Sequence, residues 1–264
     1  KMKNKIIATL GPSSFNKEII EKLDDSGVDI FRINLSHTKV IDYEKNIKLF
    51  SKWTNKPICP DTEGAQLRTS KIKNEKLNVN THDYITLVPE KNYSNSENQV
   101  PLNTNNINQL LINGDILKID FNSVVVQIIE VKNNSAVGRI LSGGIIGSNK
   151  GIGTSRQISM PSFSSKDLEI FEISKRLNQN IVFLSFCSSS DDVQRLRDIY
   201  DYPIQIIAKI ESTLGLQNLN HICQDVDGIL IDRGDLSRDV AIEKIPFAQS
   251  YIIECAKNFS TPVY

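Results

Sequence analysis

Apolar runs of strand length recur along this chain and hand over to polar or charged side chains at their C-terminal ends. Ile204-Gln205-Ile206-Ile207-Ala208 leads into Lys209 and Glu211. Val226-Asp227-Gly228-Ile229-Leu230-Ile231 leads into Asp232, Arg233 and Asp235. Two carboxylates and an ammonium on neighbouring strand ends make a hard-cation site beside an anion site. A phosphorylated or enolate substrate needs both.

The surrounding segments repeat the unit. Residues 5–10 read as a short buried strand stopped by Gly11-Pro12, with Ser13 and Ser14 able to cap the next helix. Residues 16–25 carry Ile19, Ile20 and Leu23 on one helical face, and Gly27 stands where a helix-stop glycine would. Residues 28–37 form a second strand whose Arg32, Asn34 and Ser36 share a face. Residues 40–53 are an amphipathic helix, and 56–60 a third strand ending at Asp61-Thr62-Glu63-Gly64.

From 69 to 161 the texture changes to short alternating runs separated by Asn, Ser and Gly turns. This predicts a small all-β module inserted into the α/β body, with residues 91–98 a mobile loop. The βα rhythm then resumes. It gives a helix over 164–177, a strand over 181–186, a helix opening at Ser190 and the strand ending at Lys209. A helix over 216–223, the strand ending at Asp232, a helix over 246–259 and a strand start at 261–264 follow. Six strands and the start of a seventh predict a (β/α)8 TIM barrel, incomplete in this chain, with active residues at C-terminal strand ends. A doubly wound open sheet is the alternative.

With 39% hydrophobic and 23% charged residues, the 264-residue chain can bury a large core. Lys+Arg and Asp+Glu each number 31, so no global basic field favours nucleic acid. The longest apolar runs are of strand length, which argues against a membrane span. Cys59, Cys187, Cys223 and Cys255 lie far apart with no CxxC pair, as expected of reduced thiols in a cytosolic protein. The basic Lys1-Met2-Lys3-Asn4-Lys5 leads straight into a β-like run, unlike a signal peptide. Lys1 ahead of Met2 suggests an expression remnant or a cut chain.

Each polar strand end also has a plain structural reading. Asn34, Ser36 and Thr62 can cap the next turn or helix, and Arg32 can pair with Asp61. Lys209 and Glu211, on one strand face, can be a structural ion pair. Asp235 can belong to an ordinary Gly-Asp turn, and His37 and Lys150 can be solvated. The glycine-rich residues 143–151 lack the GxxxxGK[ST] spacing of a phosphate-binding loop.

Five stretches resemble the pyruvate kinase family in order and spacing, over nearly the whole chain. They are Lys5-Ile6-Ile7-Ala8-Thr9-Leu10-Gly11-Pro12-Ser13-Ser14, Arg32-Ile33-Asn34-Leu35-Ser36-His37, Asp61-Thr62-Glu63-Gly64 with Arg68-Thr69, Ile207-Ala208-Lys209-Ile210-Glu211, and Arg233-Gly234-Asp235-Leu236. The resemblance implies a discontinuous TIM-barrel A domain over 1–68 and 162–264, with an inserted β-barrel B domain, or lid, over 69–161. It places the last barrel strands and the family's C-terminal domain outside this chain. It implies a phosphotransferase of glycolysis that works between phosphoenolpyruvate and ADP to give pyruvate and ATP. Such a protein would be cytoplasmic and homo-oligomeric at full length, with no nucleic-acid or membrane partner.

Position by position, Glu211 and Asp235 resemble the ligands of Mg2+ (or Mn2+). Lys209 resembles the catalytic group that stabilises the enolate and the transferring phosphoryl, and Arg32 a catalytic phosphate contact. The N–H groups of Gly234 and Asp235 resemble the cradle of the substrate carboxylate. Asn34, Ser36, Asp61 and Thr62 resemble the K+ site, and Asn34, His37, Arg68 and Lys150 resemble nucleotide contacts. Phosphoryl transfer suits such a set, since it needs cations placed around the migrating group more than covalent help.

The chain also departs from the family pattern. Glu63-Gly64-Ala65-Gln66 replaces Lys-Gly-Pro-Glu, Asp232 stands where the family has Ala, and Ser237 replaces Gly. The lid motif is reduced to Asp120-Phe121-Asn122-Ser123. Gly153-Thr154-Ser155-Arg156 replaces Asn-Leu-Pro-Gly, and Ser188 replaces Arg. Two alternatives follow: a catalytically impaired scaffold, and an aldolase or lyase with a similar metal-enolate site.

Overall fold

The computed structural model describes residues 4–64, 66–121, 123–156, 158 and 160–264. The basic residues 1–3 and two positions of altered motifs, Ala65 and Asn122, lie outside the described residues. The chain divides into two compact units. One comprises Lys1–Ala65, Pro161–Leu236 and Val240–Tyr264; the other comprises Gln66–Met160 and Ser237–Asp239.

The first unit opens with β1 (Ile7–Leu10), α1 (Lys17–Asp25), β2 (Ile30–Asn34), α2 (Val40–Phe50) and β3 (Ile58–Asp61). Asn16, rather than Ser13 or Ser14, caps α1. Its side chain accepts the Glu18 N–H at 2.8 Å, because Pro12–Ser14 is already a 3-10 turn. Gly27, at φ +92°, stops α1 in the left-handed region, where a side chain would be strained. β2 ends at Asn34 instead of running to His37. The Asn34 side chain accepts the Ser36 N–H at 2.8 Å and starts a 3-10 turn over Leu35–His37, so Ser36 and His37 leave the strand.

The second unit holds β4 (Lys76–Val79), β5 (Tyr84–Pro89), β6 (Gln99–Leu102), the single-turn α3 (Ile107–Leu110) and β7 (Ile116–Ile119). β8 (Val124–Lys132), β9 (Ser135–Ser142), β10 (Gly144–Gly147) and β11 (Ile152–Thr154) complete it. Its main sheet runs β11-β7-β8-β9-β5-β6, and β10 pairs with β4 separately. Alternate residues such as Leu117, Ile119, Val124 and Val126 share one core with Ile85, Leu87 and Ile140, as period-2 patterning requires.

The first unit resumes with α4 (Ser165–Arg176), β12 (Ile181–Leu184), α5 (Ser190–Ile199) and β13 (Gln205–Ile210). α6 (Thr213–Gln217), α7 (Leu219–Asp225), β14 (Gly228–Ile231), α8 (Arg233–Leu236) and α9 (Ile245–Asn258) follow. The expected helix over 216–223 is two helices parted at Asn218, whose side chain donates to the Ser188 carbonyl at 2.8 Å.

β1-β2-β3-β12-β13-β14 form one sheet in which every neighbouring pair is parallel. Val263 bridges Ile229 in parallel, the start of a seventh position. The strand order never reverses, unlike a doubly wound sheet, and the fold is an incomplete (β/α) barrel. Strand side chains sort by parity. Phe31 and Ile33 of β2, Val182 and Leu184 of β12, and Ile206, Ala208 and Ile210 of β13 pack against helices. Ile30, Cys59, Ile181, Phe183 and Ile207 pack together on the opposite, inner face with Ile7 and Leu230. Full burial of each large apolar side chain contributes about 1.5–3 kcal/mol, so both faces are firmly registered.

Candidate active site

The inner parity decides the site. Two residues beyond each inner apolar side chain stands a polar one: Thr9 after Ile7, Arg32 after Ile30, Asp61 after Cys59 and Ser185 after Phe183. Lys209 follows Ile207, and Asp232 follows Leu230. Parallel pairing levels these ends, with Thr9 beside Arg32, and Asn34 and Phe183 both in register with Asp61.

Lys209 is the centre, only 5% exposed. Its Nζ lies 2.9 Å from Glu211 Oε1, 3.3 Å from Asp61 Oδ1 and 3.7 Å from Asp232 Oδ2, and it donates to Ser185 Oγ at 3.0 Å. Burial pulls the ammonium towards neutrality, but Glu211, Asp61 and Asp232 outweigh it and hold Lys209 well above the ordinary lysine value. Glu211 is 1% exposed. Burial pushes its carboxyl up to about 7; Lys209 opposes the rise and Asp235 adds to it. The two partners thus pull apart, since a charged Lys209 favours an anionic Glu211 and burial does not. Lys209 stays charged in either case, because Asp61 and Asp232 also face it.

Asp61 is fully buried and shared. Its Oδ2 meets Arg32 Nη1 at 2.9 Å as a charge contact without the alignment of a hydrogen bond, and its Oδ1 accepts from Ser185 Oγ at 3.3 Å. Both ion pairs of the plain structural reading therefore form. Arg32 Nε also donates to Thr9 Oγ1 at 2.6 Å, and its guanidinium sits 5.6 Å from the Phe183 ring centre. Thr62 Oγ1 accepts the Ser185 N–H at 2.8 Å. Asn34, Asp61 and Thr62 thus share adjacent strand ends, while His37 is exposed on its turn.

Oxygens of Glu211, Asp232 and Asp235 all lie within 4.8 Å of one another. Asp232 caps α8 by accepting the Asp235 N–H at 3.3 Å. Glu211 Oε2 accepts the Phe186 N–H at 2.7 Å, whereas the buried Oε1 has no aligned hydrogen bond and faces Lys209. A buried oxygen with lone pairs to spare, beside two further carboxylates, fits a hard divalent cation.

Ser185, Phe186, Asp167 and Asp192 shape the site and escape sequence reasoning. Phe186, at φ +52°, turns its N–H onto Glu211. Gly64, at φ +73°, lies so close that a Cβ there would stand 2.8 Å from the Phe186 ring. The buried Asp167 accepts the N–H groups of Glu63 at 2.8 Å and Gly64 at 3.1 Å while closing a capping box with Ser164. Asp192 accepts the N–H groups of Ser188 and Ser189 in the same way. Their Ser-x-x-Asp spacing announces a helix start and nothing about a neighbouring loop.

Arg68 and Lys150 belong to the second unit. Arg68 pairs with Gly151 in an antiparallel bridge, its Nη1 donates to the Asn149 carbonyl at 3.4 Å, and Lys150 Nζ lies 3.0 Å from Asp120 Oδ2.

Fold and site define an α/β-barrel protein with a buried charge cluster at its strand ends. The family model for the pyruvate kinase barrel domain matches residues 1–264, and the chain belongs to the pyruvate kinase family. It is 29% identical over 270 residues to a pyruvate kinase of Thermococcus litoralis, covering 99% of this chain and 57% of that protein. A pyruvate kinase of Thermotoga maritima is 29% identical over 268 residues, with 98% and 57% covered. One of Dictyostelium discoideum is 30% identical over 278 residues, with 99% and 54% covered. The chain thus spans a little over half the length of these relatives. No helix among the described residues is long and apolar enough to cross a membrane.

Proposed function

We propose that this chain carries out pyruvate kinase chemistry, moving the phosphoryl group of phosphoenolpyruvate to ADP. The observation that carries the reading is the buried, charged Lys209 between Asp61 and Glu211, beside three clustered carboxylates. A terminal ADP oxygen attacks phosphorus, the bond from phosphorus to the enol oxygen breaks, and the released enolate takes up a proton to become pyruvate. Lys209 faces the enol oxygen, where negative charge grows, and a preorganised buried cation is most effective there. Arg32 contacts the phosphoryl oxygens, and the N–H groups of Gly234 and Asp235 receive the substrate carboxylate. Asn34 and His37 contact the nucleotide.

Glu211 and Asp235 would hold Mg2+ or Mn2+, which would supply positive charge to the migrating group. Asn34, Ser36, Asp61 and Thr62 would be the K+ ligands. The first unit acts as the barrel domain and the second, which begins at Gln66 rather than Thr69, as the inserted domain, in a cytoplasmic protein that is homo-oligomeric at full length. The test is ATP formation by the purified protein. It should require phosphoenolpyruvate, ADP and Mg2+ together; none under saturating conditions contradicts the reading.

The approach of Asp232 to Lys209 favours a second reading, a catalytically impaired binding or interaction scaffold. Calorimetry that detects no phosphoenolpyruvate or Mg2+ binding would support it.

A further inference from the structure

Asp61, Glu211 and Asp232 all face the Lys209 ammonium, and Glu211 and Asp232 share a carboxylate cluster with Asp235. The oxygens of Asp232 point two ways: Oδ1 accepts the Asp235 N–H at 3.3 Å, and Oδ2 faces Lys209 Nζ at 3.7 Å. These are two of the groups the proposed reaction assigns to the substrate, the N–H for its carboxylate and the ammonium for its enol oxygen. Capping α8 accounts for the first contact, and Ser or Asn would serve there equally. Capping does not call for the second contact, on a buried ammonium.

We propose that Asp232 is a specificity-determining residue, an internal carboxylate standing where the substrate's charge belongs, so that anion binding requires a divalent cation already in place. This rests on the pyruvate kinase reading of the site. Without the cation, Asp232 competes for Lys209 and repels an incoming carboxylate or phosphate, a built-in penalty against the wrong binding order. With it, Asp232 turns from Lys209 to the cation as a third carboxylate beside Glu211 and Asp235, and Lys209 and the Asp235 N–H become available to substrate.

The test is calorimetric titration of phosphoenolpyruvate into the wild-type protein, Asp232→Asn and Asp232→Ala, each with a chelator and then with saturating Mg2+. Asp232→Asn keeps an oxygen for the cap and removes only charge. In chelator, both variants should bind phosphoenolpyruvate at least tenfold more tightly than wild type. Mn2+ titrated alone should bind wild type at least fivefold more tightly than Asp232→Asn. Equal metal-free phosphoenolpyruvate affinity in all three proteins, with Mg2+ restoring binding, overturns the proposal and leaves the reaction standing. Equal Mn2+ affinity overturns the cation arm. No phosphoenolpyruvate binding to any of the three in Mg2+ overturns the reaction reading and this proposal with it.

Discussion

Lys209 and Glu211 form an ion pair two residues apart at one strand end, 2.9 Å between Nζ and Oε1 and almost sealed from solvent. Strand parity sends both side chains to the inner face, and neighbouring strands bring Asp61, Ser185 and Asp232 to the same ammonium. Such a cluster is costly to assemble, because burying charge forfeits hydration. It is correspondingly sensitive to the loss of any one partner.

Removing Lys209 leaves Glu211 and Asp61 buried without their shared cation. Lys209→Met should lower unfolding stability by about 3 kcal/mol at pH 8, in the range for breaking one side of a buried pair. Urea denaturation followed by circular dichroism measures this. An unchanged midpoint and slope would show that the pair contributes nothing.

Burial raises the Glu211 carboxyl to about 7, and a proton there competes with the proposed divalent cation. Mn2+ affinity should be flat above pH 8 and weaken by about tenfold per pH unit well below 7. In the metal-free protein, Glu211 lowers stability as pH rises from its ordinary value of 4.5 to about 7. The folded state keeps a proton there that the unfolded chain has released. Mn2+ affinity that does not change between pH 5.5 and 8 would contradict the assignment of Glu211.

Asp167 ties two N–H groups of the loop after β3 to the start of α4. Asp167→Ala should cost about 1 kcal/mol for the cap and about 1–3 kcal/mol for the uncovered N–H groups. Thermal melting gives the total. A loss under 0.5 kcal/mol, by the same order-of-magnitude scale, would mean that water replaces the carboxylate freely.

All four cysteines are buried and free of disulfides. Burial pushes the Cys59 and Cys187 thiols far above the usual range, and burial together with Cys255 pushes Cys223 up to about 12. The native protein at pH 8 should therefore resist a thiol-specific reagent that labels all four cysteines in denaturant. Rapid native labelling would show that the core around Cys223 and Cys255 opens readily.

Much of this site was legible in the sequence, for a physical reason. A strand alternates strictly, so Ile207, Lys209 and Glu211 must share a face, and βα order must place successive strand ends together. Asp232 was legible as added charge but not as a contact of Lys209, because the side chains of one strand do not reveal their cross-strand partners. Alternation continues through Ser36 and His37 and so predicts a longer β2; a local Asn34 side-chain bond ends the strand instead. Ser185, Phe186 and Asp167 act through backbone N–H groups and hydroxyls supplied across the sheet. Residue type alone cannot announce such contacts.

The account's central claim is that the Lys209 ammonium stabilises charge in phosphoryl transfer. The most direct measurement compares ATP formation from phosphoenolpyruvate and ADP by the wild-type protein and Lys209→Met, both confirmed folded by circular dichroism. The account predicts an active wild-type protein and a variant whose kcat falls by about 10²–10³-fold, the scale of losing one preorganised stabilising group. An active wild-type protein whose Lys209→Met variant retains its kcat would contradict it.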